Sequence, residues 1–230
     1  GDATPYFDYF GPVAGDPAEG WYSFDVSGWH VVVLNSNCSI LGNGTASAGC
    51  GANSPQIAWL RSDLAASSAS CTVAIFHHPR FTSRRTTPDG PFATMWTELY
   101  NAGVEIVING HQHLYERFAP QTGAGTADAS FGIREFVVGT GGTGLNTFGS
   151  FVMANSEVRR DDTHGVLKLT LHATSYDWEF VPVAGKTFTD SGFGTCHGKP
   201  GAQTQTAAAE ATALEVQRSK IASDPRHRPQ

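Results

Sequence analysis

Two pairs of histidines each follow a short apolar run in this chain of 230 residues. His77 and His78 come directly after the run Cys71–Phe76, and His111 and His113 follow a second run. Imidazole is the commonest metal ligand in proteins, and ligands bind beyond the carboxyl ends of strands in an open α/β sheet. In an extended segment residues i and i+2 point the same way, so His111 and His113 are expected to face one site. From spacing alone, the alternatives are a metal site and loop histidines that are simply solvated.

The segments around these histidines alternate between helix and strand patterns. Ser54 is expected to cap a helix that begins at Pro55, and Gly90-Pro91 is expected to begin a second helix. The apolar runs Cys71–Phe76 and Val104–Ile108 are the two strands of this stretch. Helix, strand, helix and strand in that order predict a mostly parallel sheet with covering helices.

Further strands are predicted on either side of that stretch. Trp21–Val26 and Trp29–Leu34 have the pattern of a hairpin joined at Ser27-Gly28. A later strand is expected at Ile133–Val138, and an antiparallel pair at Gly165–Ala173 and Tyr176–Val183. The polar stretch between residues 35 and 53 is expected to be a loop.

Composition excludes several classes of protein. The formal net charge is −6, with 15 basic and 21 acidic side chains, so no nucleic-acid or anionic-membrane partner is expected. No apolar run approaches the 18 or so residues of a transmembrane helix. The length fits one large domain. The sequence says nothing about oligomeric state.

Four cysteines allow three disulfide connectivities. The chain has little lysine and long loops of Ser, Gly, Thr and Asn, which favours disulfides over buried thiols and a secreted, extracellular protein. Cys38–Cys50 is the most local pairing, and it leaves Cys71 with Cys196. The chain begins at Gly1 without a methionine, so an upstream segment is expected to have been removed.

Two motifs resemble those of a known family. Val107–Phe118 reads VINGHQHLYERF, which is similar to the G-H-x-H-x-Y-E-R signature of purple acid phosphatases and related calcineurin-like metallophosphoesterases. Val73–Pro79 reads VAIFHHP and resembles their apolar strand ending in H-x-P. Trp29–Cys38 and Gly132–Gly142 also look like segments of secreted bacterial members, so the resemblance covers about residues 6–198.

The resemblance implies a site with two metal ions, of Fe, Zn or Mn, that hydrolyses phosphate esters. His77 and His111 would bind one metal ion, and His113 would bind the other. His78 would lie near the substrate or behind the ligands, as a candidate catalytic side chain.

Three further side chains are candidates for supporting roles. Arg80 could bind the substrate phosphate or form a surface ion pair. Glu116 and Arg117 could touch substrate, or form an ion pair with each other that braces the histidine loop behind the ligands.

The earlier motifs of the family are absent from the sequence. These are an Asp at the first strand, the bridging Asp of G-D-x-x-Y, and G-N-H-E. Gly1–Tyr6 resembles the second only loosely and is expected to be a loop. Neutral imidazoles do not offset the charge of two metal ions, so this chain alone is expected to bind at most one metal ion weakly and to be inactive or weakly active.

The resulting prediction is an α/β fold, a two-sheet β-sandwich flanked by helices that is incomplete at its N-terminus. Residues 1–200 would be the C-terminal part of a metallophosphoesterase domain, with 55–118 at the metal-facing edge and 133–183 in the second sheet. Residues 201–230 are expected to be a mobile tail or linker. The alternative function is a non-catalytic binding module that retains the scaffold.

Overall fold

The computed structural model describes residues 3–200 and contains two β-sheets. The larger sheet has seven strands in the order β1-β2-β3-β4-β6-β5-β7. Its strands are β1 (Tyr22–Val26), β2 (Trp29–Val33), β3 (Cys71–Ile75), β4 (Ile106–Asn109), β5 (Tyr115–Phe118), β6 (Arg134–Val138) and β7 (Ser156–Arg160). The smaller sheet has the order β10-β9-β8, with β8 (Gly165–Leu171), β9 (Ser175–Pro182) and β10 (Ser191–Thr195).

The centre of the larger sheet is parallel, as the helix–strand order predicts. Strands β2, β3, β4 and β6 run in the same direction, with Val33 beside Ile75 and Ile75 beside Ile108. Their carboxyl ends therefore lie at one edge of the sheet, where the loops after β3 and β4 carry the histidines. The hairpin of β1 and β2 is confirmed, with positive φ at both Ser27 and Gly28 in its two-residue turn.

Both faces of the parallel strands are buried, because each face is covered by a different layer. In β3, Cys71 and Val73 belong to one hydrophobic cluster, whereas Ala74 belongs to the other. The cluster that contains Cys71 and Val73 joins the smaller sheet to the larger one, through contacts such as that of Phe136 with Trp178, whose ring centroids lie 5.6 Å apart. The fold is mixed α/β with two sheets, as predicted.

Helices cover the other face of the larger sheet. They are α2 (Cys38–Leu41), α3 (Ala46–Cys50), α4 (Pro55–Ala66) and α5 (Ala93–Asn101), whereas α1 (Thr4–Phe10) buries no side chain. The Ser54 hydroxyl caps α4 by accepting a hydrogen bond from the amide of Ile57 at 3.3 Å. The second predicted helix begins as a 3-10 turn at Gly90–Phe92, and α5 then buries Trp96 fully. Within residues 3–200, no helix has the length and apolar character needed to cross a membrane.

Three predictions about the fold are wrong. The stretch 35–53 contains the short helices α2 and α3, and residues 4–6 of the predicted loop Gly1–Tyr6 belong to α1. Glycine was read as a sign of a loop, but Gly49 allows α3 to approach α2, since a Cβ there would lie 2.0 Å from the carbonyl oxygen of Cys38. The segment 133–183 is divided between the sheets, because β6 and β7 belong to the larger one. The tail at 201–230 lies outside the described residues.

Both disulfides expected from the most local pairing are present. Cys38–Cys50 joins α2 to α3, across a sequence separation of 12. Cys71–Cys196 joins the start of β3 to the residue after β10, across a separation of 125. The second bond therefore ties the end of the described chain to the central sheet.

A buried histidine links the first hairpin to α4. His30 is 5% exposed, and its ring nitrogens lie 2.7 Å from an oxygen of Asp25 and 2.8 Å from an oxygen of Asp63. Burial lowers the pKa of His30, but the hydrogen bonds to the two carboxylates outweigh this effect, and the pKa lies above its ordinary value of 6.5.

This arrangement predicts a pH-dependent contribution to stability. The contribution of His30 is fully present below the ordinary pKa of 6.5 and is lost as the pH rises through the raised pKa of the folded state. His30→Gln is therefore expected to lower the free energy of unfolding more at pH 6 than at pH 9, measured by urea denaturation. His164→Gln serves as a control. An equal loss at both pH values would contradict the expectation.

Candidate metal centre

The loops after β3 and β4 are held side by side by three hydrogen bonds. The backbone amide of Phe76 donates to the carbonyl oxygen of Ile108 at 3.1 Å, and that of Gly110 donates to the carbonyl oxygen of His77 at 3.0 Å. The side-chain amide of Asn109 donates to the carbonyl oxygen of Phe76 at 2.8 Å. The parallel ladder therefore continues into the loops and brings the histidines together.

Three imidazole rings converge at this edge of the sheet. The ring centroids of His77 and His111 lie 5.1 Å apart, and those of His78 and His111 lie 4.3 Å apart. Nε2 of His77 is 3.3 Å from Nδ1 of His111. Each of the three residues offers one ligand atom, and these atoms all lie within 4.8 Å of one another. Within residues 3–200, these three side chains form the group of His, Cys, Asp or Glu residues that lie close enough together to hold one metal ion. We call it the imidazole cluster.

The backbone at His111 adopts a conformation that is unfavourable for its residue type. Its φ angle is +58°, in the left-handed region where a residue other than glycine is uncommon. Such strain costs of order 1 kcal/mol and occurs most often at functional sites. The strained turn directs the ring of His111 toward His77 and His78.

The surroundings keep the three imidazoles neutral at neutral pH. Desolvation, together with the charge of His113, lowers the pKa of His77. Desolvation, together with the charges of His111 and His77, lowers the pKa of His78 to about 4. The pKa of His111 is lowered by desolvation and by the charge of His77. A neutral imidazole has the free lone pair that a metal ligand requires.

This donor set fits one transition-metal ion. Neutral imidazoles suit Zn, Fe and similar ions, and metal-ligating histidines are usually oriented by a hydrogen bond through the second ring nitrogen. Nδ1 of His78 makes such a bond with the hydroxyl of Ser36 at 2.9 Å. The imidazole cluster contains no carboxylate. It therefore lacks the negative charge that would balance a pair of metal ions.

His113 lies beside the imidazole cluster but does not join it. Its Nδ1 lies 3.0 Å from the carbonyl oxygen of Gly144, and its backbone amide donates to the side chain of Asn146 at 2.9 Å. The charge of His113 lowers the pKa of both His77 and His111, so its ring is within electrostatic reach of them. His78, assigned by the sequence to catalysis rather than to ligation, lies with His77 and His111 in the cluster, whereas the assignment of His113 to a second metal ion stays a prediction.

Arg80 is turned away from solvent. It is 8% exposed, its Nε donates to the carbonyl oxygen of Gly123 at 2.7 Å, and one Nη donates to that of Asp89 at 2.8 Å. The guanidinium thus holds loop backbone, so the interpretation as a surface ion pair is wrong. The predicted contact of Arg80 with the substrate phosphate finds no support in this geometry.

Glu116 and Arg117 do not pair with each other, which corrects the expectation of an ion pair. They are neighbours in β5, so their side chains point to opposite faces of the sheet. Glu116 is fully buried and accepts hydrogen bonds from Ser83 and Ser156. Arg117 forms ion pairs with Glu157 and Asp190. Glu116 braces the loop after β3 through Ser83, whereas Arg117 joins the two sheets.

Ser36 and Asn109 were missed by the sequence reasoning. Asn109 is the last residue of β4, and Ser36 lies just beyond β2, at the carboxyl end of a third parallel strand. A sequence signal existed, because polar residues at the ends of adjacent parallel strands meet at one edge. The prediction from strand ends included the histidines but not Ser36 or Asn109.

Solved structures share this fold. A purple acid phosphatase, PPD1, from yellow lupin (Lupinus luteus) seeds superimposes with a TM-score of 0.65 and 20% identity, over 79% of this chain and 34% of that one. The Plasmodium protein GAP50, described as the anchor in the inner membrane complex, superimposes with a TM-score of 0.56 and 16% identity, over 79% of this chain and 56% of that one. The fold is that of the calcineurin-like metallophosphoesterases.

Part of the sequence is similar to purple acid phosphatases. Purple acid phosphatase 22 of Arabidopsis thaliana is 33% identical over 104 residues, which are 43% of this chain and 22% of that protein. Purple acid phosphatase 18 of the same plant is 33% identical over 103 residues, or 42% and 21% of the two chains. The match thus spans about a fifth of the length of these relatives. No protein-family model matches the chain.

Proposed function

We propose that this chain carries the histidine-rich part of the site of a metal-dependent phosphate-ester hydrolase of the purple acid phosphatase type. The observation that supports this most strongly is the imidazole cluster, formed at the carboxyl ends of β3 and β4 by His77, His78 and His111. The relationship to purple acid phosphatases points the same way. The phosphate-ester substrate and an extracellular location belong to the same proposal, and two disulfides support the latter.

In this proposal the three imidazoles hold one metal ion. A bound ion would polarise phosphoryl oxygens and generate a nucleophile from water. Ser36 fixes the orientation of the His78 ring, and Asn109 keeps the loops of His77 and His111 together. His113, within electrostatic reach of His77, would be available to a second ion in a more complete site.

The charge of the site limits what the chain does by itself. Three neutral ligands leave the full charge of a divalent ion uncompensated, and ions buried without opposite charge are costly. We therefore infer that the isolated chain binds at most one metal ion, and weakly. Carboxylates from residues outside this chain would be needed for a site with two ions, of Fe, Zn or Mn.

A metal titration tests this part of the proposal. Calorimetric titration of the isolated chain with Zn²⁺ or Mn²⁺ is expected to show no more than one equivalent bound. Hydrolysis of p-nitrophenyl phosphate with either metal present is expected to be slow or absent. Tight binding of two equivalents, or rapid hydrolysis, would contradict the inference.

The alternative function is a non-catalytic binding module that keeps the scaffold. The absence of a carboxylate from the imidazole cluster is the observation in its favour. The same assay separates the two functions when it is repeated on a chain extended at its N-terminus by a segment that carries the family motifs G-D-x-x-Y and G-N-H-E. Activity that appears on extension supports the hydrolase, whereas activity in neither chain supports the binding module.

A further inference from the structure

A basic cleft is formed in part by the loop that follows His77 and His78. Its volume is about 330 Å³, and its walls come from the loop 83–86 and from Thr147 and the segment 149–151. Two of its lining side chains are guanidinium groups, Arg84 and Arg85, and others are hydroxyl groups. None of its lining residues is acidic. Such a lining favours an anion with several oxygen acceptors, because guanidinium and hydroxyl groups donate hydrogen bonds to oxyanions.

Both arginines are held in place and keep donors for a ligand. One Nη of Arg84 donates to the carbonyl oxygen of Thr147 at 2.6 Å. One Nη of Arg85 pairs with the carboxylate of Asp89. A guanidinium has five N–H donors, so each of these contacts fixes the group while using only part of its capacity. Preorganised donors of this kind bind oxyanions in a bidentate manner.

The basic cleft adjoins the imidazole cluster. Asp89, the partner of Arg85, lines a neighbouring cleft of about 220 Å³ together with His78 and Ser36. The Arg85–Asp89 pair therefore stands between the two clefts. The charge of Arg85 also lowers the pKa of both His78 and His111, which places it within electrostatic reach of the imidazoles.

We propose that the basic cleft, through Arg84 and Arg85, binds a second phosphate group of a substrate whose first phosphate lies at the imidazole cluster. This inference rests on the proposed function, and it narrows the substrate class to phosphate compounds with two phosphate groups. In this proposal Arg85, rather than Arg80, binds a phosphate group of the substrate. Asp89 weakens the interaction, because its carboxylate competes for the same guanidinium.

Inorganic pyrophosphate is the probe, and its binding to the metal-free chain is measured by calorimetry in EDTA. Pyrophosphate is expected to bind about tenfold more tightly than orthophosphate, because it offers more negative charge and more oxygen acceptors to the guanidinium groups of Arg84 and Arg85. Arg85→Gln and Arg84→Gln are each expected to weaken pyrophosphate binding about tenfold, the loss of a charged hydrogen bond. Asp89→Asn is expected to strengthen it, an effect that misfolding would not produce.

Arg160→Gln is the matched control, since Arg160 is 44% exposed, pairs with Asp162 and does not line the cleft. Unchanged pyrophosphate binding in both the Arg84 and the Arg85 variants would overturn the proposal, as would equal affinity for orthophosphate. The measurement does not need hydrolysis. Arginine-dependent binding, combined with no activity in the extended chain of the phosphatase assay, would therefore sustain the cleft and reject the proposed hydrolase.

Discussion

Replacement of His111 by alanine is expected to lower the affinity of the chain for Zn²⁺ by at least about 100-fold. Mutation of a residue that only orients a metal ligand already costs about 10–100-fold in metal affinity, and His111 is itself a proposed ligand. The His111 ring lies between the other two, with its centroid 4.3 Å from that of His78 and 5.1 Å from that of His77. Its removal leaves two imidazoles on one loop, which is too few to hold the ion. Calorimetric titration of both chains with Zn²⁺ measures the change.

Two further variants make this result specific. His111→Gly also removes the ligand, but it relieves the positive φ of +58°, so the folded chain is expected to be at least as stable as the parent. His172→Ala removes a ring that is 48% exposed and pairs with Asp177 in the smaller sheet. Retained Zn²⁺ affinity in the His111 variants, or an equal loss in His172→Ala, would contradict the account of the cluster.

The largest effect on stability is expected from the Cys71–Cys196 disulfide. Closing a loop of this separation, 125 residues, removes about 5 kcal/mol of chain entropy from the unfolded state. The Cys38–Cys50 bond spans 12 residues and is expected to contribute about 3 kcal/mol. The paired serine variant of Cys71 and Cys196 should therefore unfold at a lower urea concentration than the corresponding variant of Cys38 and Cys50.

The structure gives a second reason why loss of the Cys71–Cys196 bond should destabilise the chain more than loss of the Cys38–Cys50 bond. Cys71 is 1% exposed within the cluster that joins the two sheets. Next to Cys196, His197 forms an ion pair with Glu105 at 2.9 Å, so the bond also anchors a buried polar contact. Equilibrium unfolding in urea at neutral pH compares the variants. A smaller loss for the long-range pair than for the local pair would contradict the entropy argument.

The sequence predicted the parallel strands because both faces of each strand are buried. Cys71–Phe76 and Val104–Ile108 are apolar apart from Thr72 and Glu105, and their strands differ from the predicted bounds by one or two residues. The Ser54 cap was equally readable, because cap chemistry is local. The assignment of Ile133–Val138 to the second sheet failed, because a strand's sequence does not state which neighbour it pairs with.

The position of the imidazole cluster, with His77 and His111 in it, followed from strand ends, but the inclusion of His78 did not. The prediction that His111 and His113 face one site assumed an extended backbone. The chain bends after β4 instead, with positive φ at His111, so His113 bonds to the loop of Gly144. His78 enters the imidazole cluster through a contact with Ser36, more than 40 positions away in the sequence. Such a contact is set by tertiary packing.

The central claim is that His77, His78 and His111 together hold a metal ion at the carboxyl ends of β3 and β4. A crystal of the chain grown with Zn²⁺ and measured at the zinc absorption edge tests it directly. One anomalous peak is expected, about 2.0–2.1 Å from a nitrogen of each of the three rings. A zinc-containing crystal whose anomalous peaks all lie elsewhere, with no peak between these three rings, would contradict the assignment of the metal site.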